Sequence, residues 1–157
     1  MNNLFKYLLI FIPVICGSLI ASVSGSFKTD KEYNKLKKSK VMPPNYVFGI
    51  VWPILYIMIG ISYYIGINPT SYKYFVIPII SLLINYSYTP IFLQLDNLKL
   101  SLIIVLLTLL FGILTIIQFY YYNKYACLLL IPYILWLMFA SYLSYDIYII
   151  NKKNNKY

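Results

Sequence analysis

Side chains able to do acid–base, nucleophilic or metal chemistry are scarce in this chain of 157 residues. It contains no His, and all 13 of its basic residues are Lys. The four acidic residues are Asp30, Glu32, Asp96 and Asp146; the first three fall in connecting segments and the last near the end of an apolar run. Cys16 and Cys127 stand far apart, within or beside apolar runs, and form no ligand-spaced pair. Transition-metal sites draw on clustered Cys, His and carboxylates, so none is expected. Haem held by an axial His is excluded, whereas Tyr or Cys ligation stays open. No nucleophile–base–acid set can be assembled, and there is no glycine-rich phosphate loop. A conventional hydrolase or an ATP-driven pump is therefore not expected, nor is any required cofactor. Proton-coupled transport usually needs several ionisable groups inside the membrane. Only Asp146 qualifies by position, and an interfacial role suits it better.

What the chain has instead is rings: 19 Tyr, 9 Phe and 2 Trp. On one apolar run Phe48, Trp52, Tyr56, Ile59 and Tyr63 recur at helical spacing. On a second, Asn85, Tyr88 (or Thr89) and Phe92 share a face, and on a third Tyr133, Trp136, Ala140 and Leu143 do the same. Asn85 lies mid-run, where an unpartnered amide is costly, so it should face the interior or a ligand. Converging aromatic stripes would make a flat-walled pocket for a planar apolar ligand. Plain core packing is the competing explanation, because so aromatic a chain produces such stripes by composition alone.

The elements that must position these rings follow from composition. The chain is 61% hydrophobic and 11% charged, with a mean hydropathy of +0.74. A soluble domain carries about a quarter charged residues, so lipid must be the solvent for most of this surface. Apolar runs of about 20 residues cross a hydrocarbon core of about 30 Å. Five are present, at about 5–25, 45–66, 73–95, 100–122 and 126–150. They predict an all-α membrane bundle of five spans, forming one domain over residues 1–157. A membrane barrel would need alternating segments of about ten residues, which are absent. The first run, from Tyr7 to Val23 behind Lys6, is longer than a signal-peptide core and is read as a retained helix.

The net charge of +9 is distributed asymmetrically. Lys28, Lys31, Lys35, Lys37, Lys38 and Lys40 occupy the first loop, and Lys152, Lys153 and Lys156 the tail. With Lys99 they fall on one side of a five-span zigzag, leaving Lys6, Lys73 and Lys124 on the other. That asymmetry predicts a cytoplasmic first loop and C-terminus and an N-terminus outside. It argues for a bilayer partner, with anionic lipid as a secondary contact, rather than for nucleic acid.

Gly17, Ala21 and Gly25 repeat at four-residue spacing on the first span, allowing close approach either within the bundle or in a homodimer. The loop at about 26–43 is basic but keeps Phe27, Tyr33, Leu36 and Val41, which could cap a cavity; Tyr33 equally suits a membrane interface. Pro43 and Pro44 fit a helix start, and Pro53 predicts a kink.

Tyr33 to Leu36, then PPNYVFGIVWPILYIMIG, INYSYTPIF and IPYILWLMFASYLSY, resemble the TspO/translocator-protein family in order over nearly the whole chain. Members of that family are also known as tryptophan-rich sensory proteins or peripheral benzodiazepine receptors. The resemblance implies a five-helix bundle, often dimeric, with a cavity opening toward the first loop. It implies porphyrins or sterols as small-molecule partners, and a porphyrin as ligand or as the substrate of oxidative or light-dependent breakdown. Trp52 and Trp136 then correspond to the paired tryptophans held responsible for that breakdown. Tyr33 corresponds to a lid aromatic; Phe48, Trp52, Tyr56, Asn85, Tyr88, Trp136, Ala140 and Leu143 correspond to the pocket walls. Tyr46, Tyr86 and Tyr88 stand where the family pattern has Trp, in keeping with an AT-rich coding bias, which makes the survival of Trp52 and Trp136 informative. The chain departs from the pattern at Glu32, at Met58-Ile59-Gly60 and at Ser144. The sterol-recognition pattern is loosely met by Leu143, Tyr148 and Lys152.

Overall fold

Backbone polar groups cannot be left unpaired in lipid, so runs this apolar must close their hydrogen bonds locally. A computed structural model describes residues 3–26, 36–66, 73–94 and 97–152. Among them are five helices and no strand: α1 Asn3–Ser26, α2 Asn45–Gly66, α3 Lys73–Gln94, α4 Leu98–Tyr120 and α5 Lys124–Lys152. These boundaries lie within a few residues of the apolar runs. The shortest helices have 22 residues and the longest 29, or roughly 33 to 44 Å at the helical rise. Among the described residues α2, α4 and α5 are long and apolar enough to cross a membrane; α1 and α3 carry shorter apolar stretches, Ile10–Ile20 and Val76–Phe92.

Packing partners run α1 on α2, α2 on α5, α5 on α4, α4 on α3, and α3 back on α1. The five helices thus close a ring in the order 1-2-5-4-3. Its outside is apolar: Leu83, Leu110, Ile117, Leu128 and Leu135 are exposed, as lipid-facing side chains must be.

Helix ends and interruptions are paired off by specific side chains. The Asn97 side chain accepts from Leu100 N–H at 2.9 Å to start α4, and Asn123 Oδ1 accepts from Tyr125 N–H at 3.0 Å to start α5. Val47 N–H donates to the Pro44 carbonyl at 3.0 Å where α2 begins, as the double proline predicts. Pro78 has no N–H to offer, so the Tyr74 carbonyl loses its partner within α3. Gln118 Nε2 of α4 supplies that bond at 2.7 Å.

Two close approaches fix α1 against α2. A Cβ on Gly17 would fall on the Tyr56 ring, and one on Gly60 would fall on the Ile10 carbonyl. Gly17 therefore serves packing within the chain; the side chains of Ala21 and Gly25 lie outside the described residues.

Buried side chains form two clusters. The larger holds Leu55, Tyr56, Ile59, Tyr63, Phe119, Ala126, Cys127, Leu130, Tyr133 and Leu137. A smaller one, at the end carrying Lys37, Lys38, Lys40, Lys99 and Lys152, joins Leu36 to Phe92, Leu98 and Ile147, with Met42, Tyr88 and Tyr148 against it.

Candidate functional site

The α2 stripe is one line in sequence but two environments in space. Ile59 and Tyr63, at 1% and 5% exposure, are core; Tyr63 meets Phe119 edge-on with ring centroids 5.8 Å apart and donates its hydroxyl to the Pro78 carbonyl at 2.8 Å. Nearer the lysine-rich end, Phe48 and Trp52 are only half-buried. The α5 stripe divides in the same way: Tyr133 is core, while Trp136 and Ala140 are half-buried and Leu143 is buried. Core packing thus accounts for the inner part of each stripe and leaves the outer part as the candidate site.

Trp52 stacks on Tyr56, with centroids 5.3 Å apart and planes at 29°. Tyr56 in turn meets Tyr86 of α3 at 5.8 Å, and Asn85 Nδ2 donates to the Tyr56 hydroxyl at 3.5 Å, a long bond. Asn85 is buried, as its mid-run position required. Tyr88 stacks nearly parallel on Phe92, at 5.7 Å and 7°, which places Tyr88 on the shared α3 face. Its hydroxyl lies 2.8 Å from Ser144 Oγ of α5. The Tyr56–Asn85 and Tyr88–Ser144 links join helices that are not neighbours in the ring, so they cross its interior.

Trp136 meets α2 at Phe48, edge-on with centroids 5.6 Å apart, and lies 5.6 Å from Phe139 on its own helix. Phe48 is about one turn before Trp52 on α2. The two tryptophans belong to two ring sets, Phe48–Trp136–Phe139 and Trp52–Tyr56–Tyr86, and both pack against the larger cluster. Trp136 Nε1 is buried and has no hydrogen-bond partner among the described residues. A buried indole N–H normally finds an acceptor. A hollow of about 390 Å³ opens at the lysine-rich end, lined by Lys38, Ser39, Met42, Pro43, Pro44 and Asn45. It adjoins the first turn of α2, below which Phe48 and Trp52 follow.

Tyr33 lies outside the described residues. Of the other expected positions, Phe48 and Trp136 are brought together, as are Trp52 with Tyr56 and Tyr56 with Asn85. Tyr88 joins the smaller cluster, and Leu143 is among the buried residues. Sequence reasoning noted Tyr86 as standing where the family pattern has Trp but did not place it among the walls; its hydroxyl donates to the Pro13 carbonyl of α1 at 2.9 Å. Sequence reasoning passed over Asn151, which carries no apolar periodicity and reads as part of a polar tail; its side chain bonds the Lys37 N–H and carbonyl at 3.1 and 3.0 Å.

A closed ring of apolar helices with aromatic side chains packed between them defines a multi-pass α-helical membrane protein. The TspO/MBR family model matches residues 9–149, and the chain belongs to that family. It is 33% identical to the tryptophan-rich protein TspO of Archaeoglobus fulgidus over 149 residues, covering 89% of this chain and 95% of that relative. It is 31% identical to the translocator protein homolog of Schizosaccharomyces pombe over 148 residues, covering 89% and 88% respectively. It is 26% identical to the tryptophan-rich sensory protein of Cereibacter sphaeroides over 147 residues, covering 93% and 92%.

Proposed function

We infer that this protein is a membrane receptor for planar, largely apolar tetrapyrroles of the porphyrin type. The walls of the site are Phe48, Trp52 and Tyr56 of α2, Asn85 and Tyr88 of α3, and Trp136, Ala140 and Leu143 of α5, with Tyr33 assigned to the covering loop. The observation that carries this reading is the buried, unpartnered Nε1 of Trp136. It stands among rings that the core leaves half-buried, and a ligand bearing an acceptor at its edge would satisfy it. Affinity would come from ring stacking and apolar burial, without iron ligation. The names of the Cereibacter and Archaeoglobus relatives, sensory and tryptophan-rich, agree with a receptor built on these two tryptophans.

In this reading excited bound porphyrin is the electron donor and molecular oxygen the oxidant: Trp52 and Trp136 relay electrons from the macrocycle, which is oxidised, to oxygen, which is reduced. Purified protein in lipid nanodiscs is titrated with protoporphyrin while fluorescence quenching is followed, then illuminated. Saturable quenching and a new absorbing product are expected. Trp52→Phe and Trp136→Phe should each keep the fold while weakening the quenching and slowing product formation. Absence of saturable binding in the parent protein overturns the receptor reading; a product formed equally by both variants overturns the role of the tryptophans.

The Schizosaccharomyces relative's name, translocator protein homolog, favours a second reading, a carrier of porphyrin or sterol between membranes. Faster ligand transfer between vesicles in the presence of the protein would favour it. The described lysines at the loop end support a cytoplasmic orientation for that end and an outside N-terminus. Cysteines placed at Lys37 and at Lys152 should react with an impermeant reagent from the same side; reaction from opposite faces refutes the orientation.

A further inference from the structure

The side of α2 turned away from Phe48, Trp52 and Tyr56 faces lipid. Tyr46, Ile50, Ile54, Ile57, Ile61 and Tyr64 are all exposed there. Isoleucines bounded by a tyrosine at each end match a hydrocarbon-facing stripe with a ring at each membrane interface. Tyr46 and Tyr64 stand about 27 Å apart along the helix, close to the thickness of a hydrocarbon core. Tyr46 therefore marks the headgroup level at the lysine-rich end.

Gly49 marks the same level independently. Pro53 has no N–H, so the Gly49 carbonyl lacks its usual helical partner. Such an acceptor belongs among headgroups and water rather than in hydrocarbon. A Cβ added at Gly49 would meet nothing within 4 Å, so the helix surface is notched there. Asn45, Gly49, Pro53, Ile57 and Ile61 recur at four-residue spacing and form one row slanting along the helix. That row starts at the hollow, which Asn45 lines, crosses the notch and ends among the exposed isoleucines.

The hollow suits an anion. Lys38 and Ser39 line it together with Asn45, and exposed Lys40 stands in the turn that Met42 N–H closes on the Ser39 carbonyl. Ser39 is buried, and its Oγ accepts from Val41 N–H at 3.4 Å, so its hydroxyl proton can turn toward a guest. Lys38 also interacts within the chain and acts at the rim through its charge. Asp146 of α5, the one acidic residue among those described, is not in the lining. A basic hollow at phosphate level that opens onto an apolar row complements both parts of an anionic phospholipid.

We propose that the hollow at the start of α2 seats the phosphate of one anionic phospholipid, held by Lys38, Lys40 and the Ser39 hydroxyl, with an acyl chain passing Gly49 and lying along Pro53, Ile57 and Ile61. Charge selects the headgroup, and the apolar row selects a lipid over a free phosphate. The site lies on the other side of α2 from the proposed porphyrin walls and does not depend on them.

The test is native mass spectrometry of the full chain released from detergent, titrated with phosphatidylglycerol and with phosphatidylcholine of the same chains. One phosphatidylglycerol should stay bound where phosphatidylcholine does not. Lys38→Gln combined with Lys40→Gln should weaken retention about fivefold per lysine. Lys99→Gln combined with Lys152→Gln removes equal charge from the same end but outside the hollow, and should weaken it far less. Gly49→Leu fills the notch without touching charge and should lower occupancy severalfold. These positions are exposed, so thermal midpoints should hold. Equal retention of the two lipids, or equal weakening by the two lysine pairs, overturns the headgroup site and leaves diffuse attraction only. Unchanged occupancy in Gly49→Leu overturns the path of the chain. Inorganic phosphate should not displace the lipid; displacement overturns the role of the apolar row, since a free anion would then suffice.

Discussion

Tyr63 and Trp52 lie on one stripe of α2, about three turns apart, yet the ends of the bundle they serve are built on different principles. Around Tyr63 the side chains interlock: Phe119 and Ala126 have no exposed surface, and a Cβ on Gly66 would collide with both. Around Trp52 the rings touch in pairs, Phe48, Trp52 and Trp136 stay half-buried, and the Trp136 indole N–H has no acceptor among the described residues. In lipid there is no water-driven force pulling apolar faces together, so stability must come from close van der Waals packing and internal hydrogen bonds. The first region concentrates that packing. The second gives some of it up, as the proposed porphyrin site would require.

This contrast can be broken at several points. The largest effect is expected from Phe119→Ala, which empties the closed end and should cost about 3–5 kcal/mol. A large fall in thermal midpoint in detergent would show it, and a small one would mean the closed end is not the stabilising region. Gly60→Ala pushes a methyl onto the Ile10 carbonyl, where backbone must move, and should cost about 1–3 kcal/mol by the same measurement. Tyr88→Phe removes the hydroxyl that reaches Ser144 across the ring and should cost about 1 kcal/mol. It sharpens the contrast if protoporphyrin quenching responds more than the midpoint does. The smallest effect belongs to Gly49→Ala. Nothing lies within 4 Å of the added Cβ, so better helix propensity should leave stability equal or raised by up to about 1 kcal/mol. A marked loss there would show that the Phe48–Trp52 side is packed as tightly as the closed end.

Much of the architecture was legible from hydropathy alone. The runs at about 45–66 and 73–95 became Asn45–Gly66 and Lys73–Gln94 because a lipid-soluble chain has only local backbone bonding available. The helix start after Pro43-Pro44 was equally legible, since its cause is local. The fate of each ring was not. Ile59 and Trp52 fit the same periodic face, and periodicity says which side of a helix turns inward but not what fills the space opposite. That filling depends on α3, α4 and α5 arriving together. Asn151 was illegible for the same reason: its partner, Lys37, lies 114 residues away in sequence.

The sequence by itself determined the solvent, the number and length of the helices, the end that carries the lysines, and the family. These depend on composition, run length and motifs read along one strand. Only the tertiary structure decided that the helices close in the order 1-2-5-4-3. It also decided that each aromatic stripe divides into core and candidate site, and that the loop before α2 is tied to the end of α5. Those outcomes depend on which faces meet, and in a bundle that packs by close contact only the assembled helices set them.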